Sequence, residues 1–104
     1  MNQLRRDVFQ AISDPVRREI ILLLLKNSLT LNGVAGNFKI SRPAISKHVK
    51  ILEECGLVSI KQRGRERYCK VNPEPLNKIY EWLAYFDKFW DKKLKSLKNF
   101  LEKT

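Results

Sequence analysis

The stretch that decides the fold is residues 41–56, which reads SRPAISKHVKILEECG. Its apolar side chains fall at Ile45, Val49 and Leu52, the i, i+4, i+7 spacing of a helix with one buried side. The opposite side is polar and cationic and carries Arg42, Pro43, Ser46, Lys47 and Lys50. The pattern therefore predicts a helix that packs on one side and offers a basic surface on the other.

Capping signals set the ends of this helix and of its neighbours. Ser41 suits the N-cap and Gly56 suits the left-handed residue that ends a helix. Asp14 suits the N-cap of a second helix and Pro15 suits its first helical position. Thr30 can cap a further short helix. We expect four helices, at residues 4–12, 15–26, 31–38 and 42–55.

After Gly56 the hydrophobic period changes to that of strands. LVSIKQ and ERYCKV are two strand-like runs on either side of Arg63, Gly64 and Arg65, which is typical of a β-hairpin with a basic tip. Residues 76–103 then read as one long helix of roughly 42 Å at 1.5 Å per residue. The predicted fold is mainly α with a small β-hairpin, in the order α1-α2-α3-α4-hairpin-α5, within a single domain spanning residues 1–104.

The charge of the chain favours a polyanionic partner. The formal net charge is +10 over 104 residues, and residues 39–72 carry nine Lys and Arg against three Asp and Glu. Such a concentration favours nucleic acid first and an anionic membrane second. We expect double-stranded DNA as the partner and no membrane insertion, because the longest aliphatic run has only six residues.

A helix-turn-helix explains both the element order and the basic surface. The third and fourth helices are joined by a short turn at Lys39 and Ile40, and the fourth suits the major groove of DNA. The hairpin that follows is a wing whose cations reach phosphates or the minor groove. His48 either braces the two helices or touches a phosphate. The predicted DNA-binding residues are Ser41, Arg42, Pro43, Ser46, Lys47, His48, Lys50, Lys61, Gln62, Arg63, Arg65 and Arg67.

Catalysis, cofactors and metal binding find little support in the sequence. Cys55 and Cys69 are too few for a disulfide framework or a zinc module, and both are expected to be buried as small apolar groups. Cys55 and His48 lie seven residues apart, roughly 10.5 Å along a helix, which is beyond hydrogen-bond reach. We expect a non-enzyme with no cofactor and no metal, in a reducing cytoplasm.

Three segments carry a family resemblance: FQAISDPVRREIILLL, ISRPAISKHVKILEECGLV and RGRERYCKVNP. Together they resemble the ArsR family of bacterial winged-helix transcriptional repressors over about residues 8–75. The resemblance implies a dimeric DNA-binding regulator, usually a repressor released by a ligand. Its DNA contacts would fall on Ser41, Arg42, Pro43, Ser46 and Lys47, with wing contacts at residues 63–65.

The family's metal ligands have no counterpart here. The thiols that some members carry in the third helix would align near Thr30 and Asn32, and neither supplies a thiolate. Other members use carboxylate and His ligands on the last helix, yet no His follows His48. The resemblance is therefore to a subgroup without recognised metal ligands, and its effector, a small molecule or a protein, is not identified by the sequence.

The terminal helices are predicted to form a dimer. One stripe of residues 76–103 follows a period of roughly 3.5, and Trp82, Tyr85 and Phe89 form a second stripe. A helix with two apolar sides requires two partners, its own domain and a second subunit. An effector pocket among the aromatic rings is the alternative use of the second stripe. The predicted dimer interface comprises Leu4, Val8, Ile79, Leu83, Phe86, Trp90, Leu94, Leu97 and Leu101.

The function predicted from these observations is a homodimeric repressor that binds an inverted-repeat operator in double-stranded DNA. The first alternative is a winged-helix interaction module that binds protein or RNA. A second alternative is membrane-surface binding through the Lys-rich aromatic tail. Sequence-selective and salt-dependent binding to duplex DNA distinguishes the repressor from both alternatives.

Overall fold

A computed structural model of the chain describes residues 6–103, apart from the side chains of Asp91 and Lys103. Six α-helices and three strands follow one another, with a 3-10 turn at Glu74–Leu76. The helices are α1 Val8–Ala11, α2 Pro15–Lys26, α3 Leu31–Ala35, α4 Arg42–Glu54, α5 Asn77–Ala84 and α6 Asp87–Lys103. The strands are β1 Leu29–Thr30, β2 Val58–Arg63 and β3 Glu66–Val71. The winged helix-turn-helix predicted from the sequence is confirmed.

The sheet contains one strand more than the predicted hairpin. β3 pairs antiparallel with β2 on one side and with the two-residue β1 on the other, in the order β1-β3-β2. Leu29 lies opposite Cys69 and Thr30 lies opposite Tyr68. This short pairing ties the beginning of α3 to the base of the wing.

The core lies between α1, α2, α3, α4 and the inner face of the sheet. Its largest fully buried side chains are Ile20, Val34, Ile45, Val49, Leu52, Leu57 and Cys69. Cys55 is also buried, so the prediction that both thiols pack as apolar groups is confirmed. Burial, which desolvates the thiolate form, raises the pKa of Cys55 and of Cys69.

Both ends of α4 agree with the sequence. The Ala44 N–H donates to Oγ of Ser41 at 3.2 Å, which caps the first turn. At the other end Gly56 has φ 82, and the N–H groups of Gly56 and Leu57 donate to Glu53 and Leu52 at 3.0 Å each. This is a Schellman motif, and it turns the chain directly into the wing.

Two helices differ from their predicted lengths. α1 begins only at Val8, because the Asp7 carboxylate caps it by accepting from the Gln10 N–H at 2.9 Å. α3 ends at Ala35 with Gly36 as its C-cap, three residues short of the prediction. Leu4, predicted on the first helix, lies outside the described residues.

The single long C-terminal helix is corrected to two helices. Between α5 and α6 the N–H groups of Tyr85 and Phe86 donate to Trp82 and Leu83, three residues back, at 3.2 and 2.9 Å. The Phe86 carbonyl then accepts from the N–H of Trp90 at 2.9 Å, which restarts the α-helical pattern. A tighter turn of this kind separates α5, which packs on α1, from α6.

Candidate nucleic-acid interface

The helix α4 is positioned by its buried side. Ile45 and Leu52 are fully buried and Val49 is 1 % exposed, so the rotation of α4 about its axis is fixed by packing. Since successive residues turn by 100°, this rotation determines where each polar side chain points. Pro43 and Lys47 point away from the core, Arg42 and Ser46 point toward the wing, and His48 points toward α2.

Two adjoining clefts lie between α4 and the wing. The larger one has a volume of about 230 Å³ and is lined by side chains that include Ser46, Lys50 and Arg67. The smaller one has a volume of about 100 Å³ and is lined by side chains that include Arg42, Arg65 and Arg67. Arg67 is common to both clefts, so they form one cationic groove. Five of the twelve predicted DNA-binding residues therefore meet on one concave surface.

Arg42 is held at this groove by a neighbour on α3. Its Nε donates to Oδ1 of Asn32, and this charged hydrogen bond fixes the direction of the guanidinium. Asn32 was considered in the sequence only as a position where related proteins carry a metal ligand. Its role as a positioning residue depends on the packing of α3 against α4, so no local pattern in the sequence indicates it.

The carboxylates of α4 lie at its far end. Glu53 lines the larger cleft beside Lys50, and Glu54 accepts a hydrogen bond from Nε of Arg6 at 2.6 Å. A polyanion is repelled at this end and attracted at the N-terminal end, where the helix dipole is also positive. The first two turns of α4 are thus the part suited to DNA.

The wing presents its predicted cations on two different faces. Gly64, with φ 60, occupies the first central position of a two-residue turn with Arg65, which suits glycine. Gln62 steadies this turn by donating from Nε2 to the Gly64 carbonyl at 3.3 Å. Gln62 is paired with Arg67 on the inner face, whereas Lys61 and Arg63 lie on the outer face, away from α4.

His48 lies between α4 and α2, and its predicted contact with DNA stays a prediction. Its Nδ1 lies 3.2 Å from Nη1 of Arg17 and 4.0 Å from Oδ1 of Asp14, and its side chain is 20 % exposed. Arg17 is itself buried and donates to the carbonyls of Ala11 and Gln10 at 3.0 and 3.1 Å. His48 therefore braces α4 against α2 and the end of α1, one of the two roles predicted for it.

The Asp14 carboxylate belongs to the same network. Partial burial by itself would raise the pKa of this carboxyl. The hydrogen bonds from the N–H groups of Arg17 and Val16, together with the nearby His48 and Arg17, outweigh the burial, so the pKa of Asp14 is lowered. The two N–H groups lie 3.2 and 2.8 Å from Oδ1. An ionised Asp14 thus caps α2 at neutral pH.

The predicted dimer residues within the described chain divide into three groups by exposure. Val8 is only 3 % exposed and belongs to the core of its own chain, so it has almost no surface to offer a partner. Ile79, Leu83 and Phe86 are half-buried. The exposed members all lie on α6 and are Trp90, Leu94, Leu97 and Leu101.

The second aromatic stripe lies mostly on the surface of the described chain. Trp82 packs edge-on against Phe9 at 6.0 Å and against Phe86 at 5.1 Å between ring centroids. Tyr85 and Phe89 are exposed. The stripe therefore fastens α5 to α1 through Trp82 and leaves its other rings on the surface.

Comparison with known proteins agrees with this geometry. The profile of the bacterial regulatory proteins of the arsR family matches residues 14–59, which contain α2, α3 and α4. The transcriptional repressor SdpR of Bacillus subtilis is 38% identical over 80 residues, which cover 77% of this chain and 89% of SdpR. The chain belongs to the arsR family of bacterial regulatory proteins. As an arsR-family member it is a DNA-binding transcriptional regulator.

Solved structures of the arsR family have the same architecture. An ArsR-like transcriptional regulator from Rhodococcus sp. RHA1 superposes with a TM-score of 0.71 at 34% identity, covering 93% of this chain and 89% of that protein. A possible transcriptional regulator for arsenical resistance superposes with a TM-score of 0.69 at 36% identity, covering 91% and 94%. These relatives are named as regulators of transcription, and they favour DNA over the protein or RNA partner that the fold alone allows.

Two further findings concern metals and membranes. Within the described residues, no group of three His, Cys, Asp or Glu side chains lies close enough to hold a metal ion. Among the helices of residues 6–103, none is long and apolar enough to cross a membrane.

Proposed function

We propose that the chain is a homodimeric repressor that binds an inverted-repeat operator, with the first turns of α4 in the major groove and the wing tip on the adjacent backbone. The observation that supports this most strongly is the cationic groove between α4 and the wing, where Arg42, Lys50, Arg65 and Arg67 converge. A major groove about 12 Å wide admits one helix. Repression is supported by the name of the relative SdpR.

The predicted DNA-binding residues of α4 and the wing divide into two roles. Arg42, Ser46 and Lys47 lie on the wing-facing and outer sides of α4 and are suited to base edges, because Arg and Lys pair with guanine and Ser with any base. Ser41 and Pro43 bring the helix N-terminus to the backbone. Lys50, Gln62, Arg65 and Arg67 are assigned to phosphates on the α4 side of the wing, and Lys61 and Arg63 to phosphates on its outer face.

The homodimer is supported by the exposed helix α6. Every α6 side chain that the structure describes is exposed, and Trp90, Leu94 and Leu97 lie on one side of the helix with 44%, 58% and 53% exposure. A 17-residue helix is only slightly longer than the length at which an isolated helix is marginal in water, so burial of its apolar side against a second copy would stabilise it. The long molecule, 57 Å in its largest extent, also points to a projecting arm that a second copy covers.

The proposed interface is narrower than the one predicted from the sequence. It retains Trp90, Leu94, Leu97 and Leu101 from α6, with Ile79, Leu83 and Phe86 supporting them from α5 and the turn. Val8 is omitted because it is buried in its own chain. A C2 arrangement of two α6 helices would bury the same apolar stripe on each subunit.

The cellular setting follows from the DNA partner. We place the protein in the cytoplasm, where bacterial DNA is, with DNA and a second copy of itself as partners and without catalytic activity or a cofactor. An effector, either a small molecule or a protein, would act by changing the affinity of the dimer for its operator.

Selection of duplexes from a random pool tests the proposal. We expect an inverted repeat whose half-site centres are about 34–36 Å apart, one turn of DNA, with affinity that falls steeply with salt. Sedimentation of the free protein should give a dimer. Recovery of no preferred sequence, or equal binding to single-stranded RNA, would overturn the assignment to operator DNA.

A further inference from the structure

The outer face of the wing carries a second basic surface that the groove beside α4 does not use. A cleft of about 260 Å³ lies on this face and is lined by side chains that include Lys61, Arg63 and Lys70. Tyr68, Ser28 and Asn72 complete its walls. Lys70, Tyr68, Ser28 and Asn72 were not among the predicted DNA-binding residues.

The strand register brings these cations together. Lys61 lies opposite Tyr68 and Ser59 lies opposite Lys70, so Lys61 and Lys70 are diagonal neighbours about 7–8 Å apart on one face of the sheet. Arg63 extends over the ring of Tyr68, with its guanidinium carbon 5.7 Å from the ring centroid. This cation–π contact holds Arg63 at the cleft rather than at the α4 side of the hairpin.

The three positive charges of the cleft are not balanced by the protein. No ion pair within residues 6–103 joins Lys61, Arg63 or Lys70 to a carboxylate. Glu66 lies opposite Arg63 across the hairpin but does not line the cleft. Like charges on one sheet face repel each other, so an anion bound between them removes an unfavourable interaction.

The donors of the cleft match a phosphate group better than a planar carboxylate. The side chains that line the cleft offer two ammonium groups, a guanidinium, a serine hydroxyl and an asparagine amide. A phosphate has three or more acceptor oxygens and can accept from more of these donors than a carboxylate, which has two. We propose that the outer face of the wing is a phosphate-binding site formed by Lys61, Lys70 and Arg63, with Ser28 and Asn72 as neutral donors. Its phosphate comes either from the DNA backbone beyond the half-site or from a free phosphorylated ligand.

The possibility that the bound phosphate belongs to DNA rests on the proposed function. When α4 lies in the major groove and Arg65 meets the adjacent backbone, the outer face lies on the side of the wing away from α4, so a DNA phosphate that reaches it would come from outside the half-site. Contact there would extend the protected region and add to affinity without adding sequence selectivity.

The first arm of the test compares two duplexes. One is a selected operator trimmed to its two half-sites, and the other is the same operator extended by about one helical turn, roughly 10 base pairs, on each side. Lys70→Gln should leave the affinity for the trimmed duplex unchanged. On the extended duplex it should make the slope of log K against log salt shallower by about 0.9 for each subunit. Lys26→Gln is the matched control, because Lys26 is equally exposed and lines a different cleft, and it should change neither duplex.

The second arm uses inorganic phosphate and pyrophosphate on the DNA-free protein at constant ionic strength. A free phosphorylated ligand is indicated if the amide signals of Ser28, Tyr68 and Lys70 shift in a saturable way in the wild type and in Lys26→Gln but not in Lys70→Gln. An effect in the first arm assigns the site to flanking DNA, and an effect in the second assigns it to a free ligand.

The absence of both effects overturns the inference. If the wild type fails to bind even the trimmed duplex, the proposed function is wrong, and the second arm still decides whether the cleft takes phosphate. If the trimmed duplex is bound and both arms are negative, only the inference about the outer face is wrong.

Discussion

Nη1 of Arg17 lies 3.2 Å from Nδ1 of His48, and this contact joins the buried start of α2 to the helix that carries the proposed base contacts. The same guanidinium donates to the carbonyls at the end of α1. For Arg17 to donate to it, Nδ1 of His48 has to be unprotonated. A single buried cation thus connects α1, α2 and α4, and α4 carries the proposed base contacts.

Replacing Arg17 should weaken the fold more than replacing His48. Arg17→Ala removes the side-chain donor to the Ala11 carbonyl and one donor to the Gln10 carbonyl, which still accepts from Ser13. It should lower the free energy of unfolding by about 2–3 kcal/mol, whereas His48→Ala should cost about 0.5–1.5 kcal/mol. Urea denaturation of both single variants and of the double variant measures their coupling. Strict additivity would contradict the proposed brace, since residues in contact are not independent.

The cap at Asp14 predicts a dependence of stability on pH. The folded state lowers the pKa of this carboxyl, so its contribution is present above the unfolded value of about 3.9 and is lost as pH falls through the lower folded value. Asp14→Ala should cost about 1 kcal/mol at pH 7. Asp14→Asn keeps a capping oxygen without the charge, and its stability difference from the wild type should shrink toward zero in acid. A difference that stays constant to low pH would contradict an ionised cap.

Base readout and phosphate contact should separate by mutation. Arg42→Ala should cost about 1–3 kcal/mol of binding and relax selectivity at one operator position. Arg65→Ala should weaken all duplexes evenly and make the salt slope shallower by about one per subunit. Competition among a panel of single-base operator variants distinguishes the two profiles, and identical profiles would show that the roles are wrongly assigned.

Asn32 should act on DNA only through Arg42. Asn32→Ala frees the guanidinium of Arg42, so it should relax selectivity at the same operator position by a smaller amount. In the Arg42→Ala background the Asn32→Ala substitution should have little further effect on binding. A full additive loss in the double variant would mean that Asn32 contacts DNA directly.

Zinc, cadmium and arsenite are not expected to release this protein from DNA. The Thr30 hydroxyl is already used to cap the Gly33 N–H at 2.9 Å, and the Asn32 oxygen accepts from Arg42. Burial raises the pKa of Cys55 and Cys69, so their thiolates are disfavoured. Titration of each ion into the operator complex should leave it intact, and stoichiometric release at micromolar metal would refute the prediction.

The dimer prediction concerns α6. Changing both Trp90 and Leu94 to Gln should give a monomer, because a buried Trp anchor alone is worth at least about 2 kcal/mol. The monomer should bind a full operator little better than a half-site, since the second contact loses its effective concentration. Lys92→Gln with Lys95→Gln alters the opposite face of α6 and should leave the dimer unchanged. Sedimentation and duplex titration on both variants decide the matter.

Local signals in the sequence predicted the helix-turn-helix and the wing. Caps at Asp14, Thr30 and Ser41 and the left-handed Gly56 fixed helix boundaries to within a residue, because each acts through its own backbone neighbours. Alternation along the wing also places Arg67 and Lys61 on opposite faces, although the sequence analysis grouped them together.

Features that depend on distant packing could not be predicted in this way. The strand β1 has two residues, and it exists only because β3 offers a free edge to Leu29 and Thr30. The turn at Tyr85 and Phe86 contains neither Gly nor Pro, so nothing marks it as a helix break. The buried position of Arg17 and the link from Asn32 to Arg42 likewise arise from helices that meet only in the folded chain.

The turn at Tyr85 and Phe86 has an evolutionary consequence. The turn separates α5, which the aromatic contact of Trp82 with Phe9 fastens to α1, from α6, whose described side chains all lie on the surface. Substitutions in α6 should therefore leave the core and the groove beside α4 intact. The arm is free to diverge after a gene duplication while the DNA-reading half is retained. Two such regulators in one cell would then keep their subunits from mixing even while they recognised the same operator.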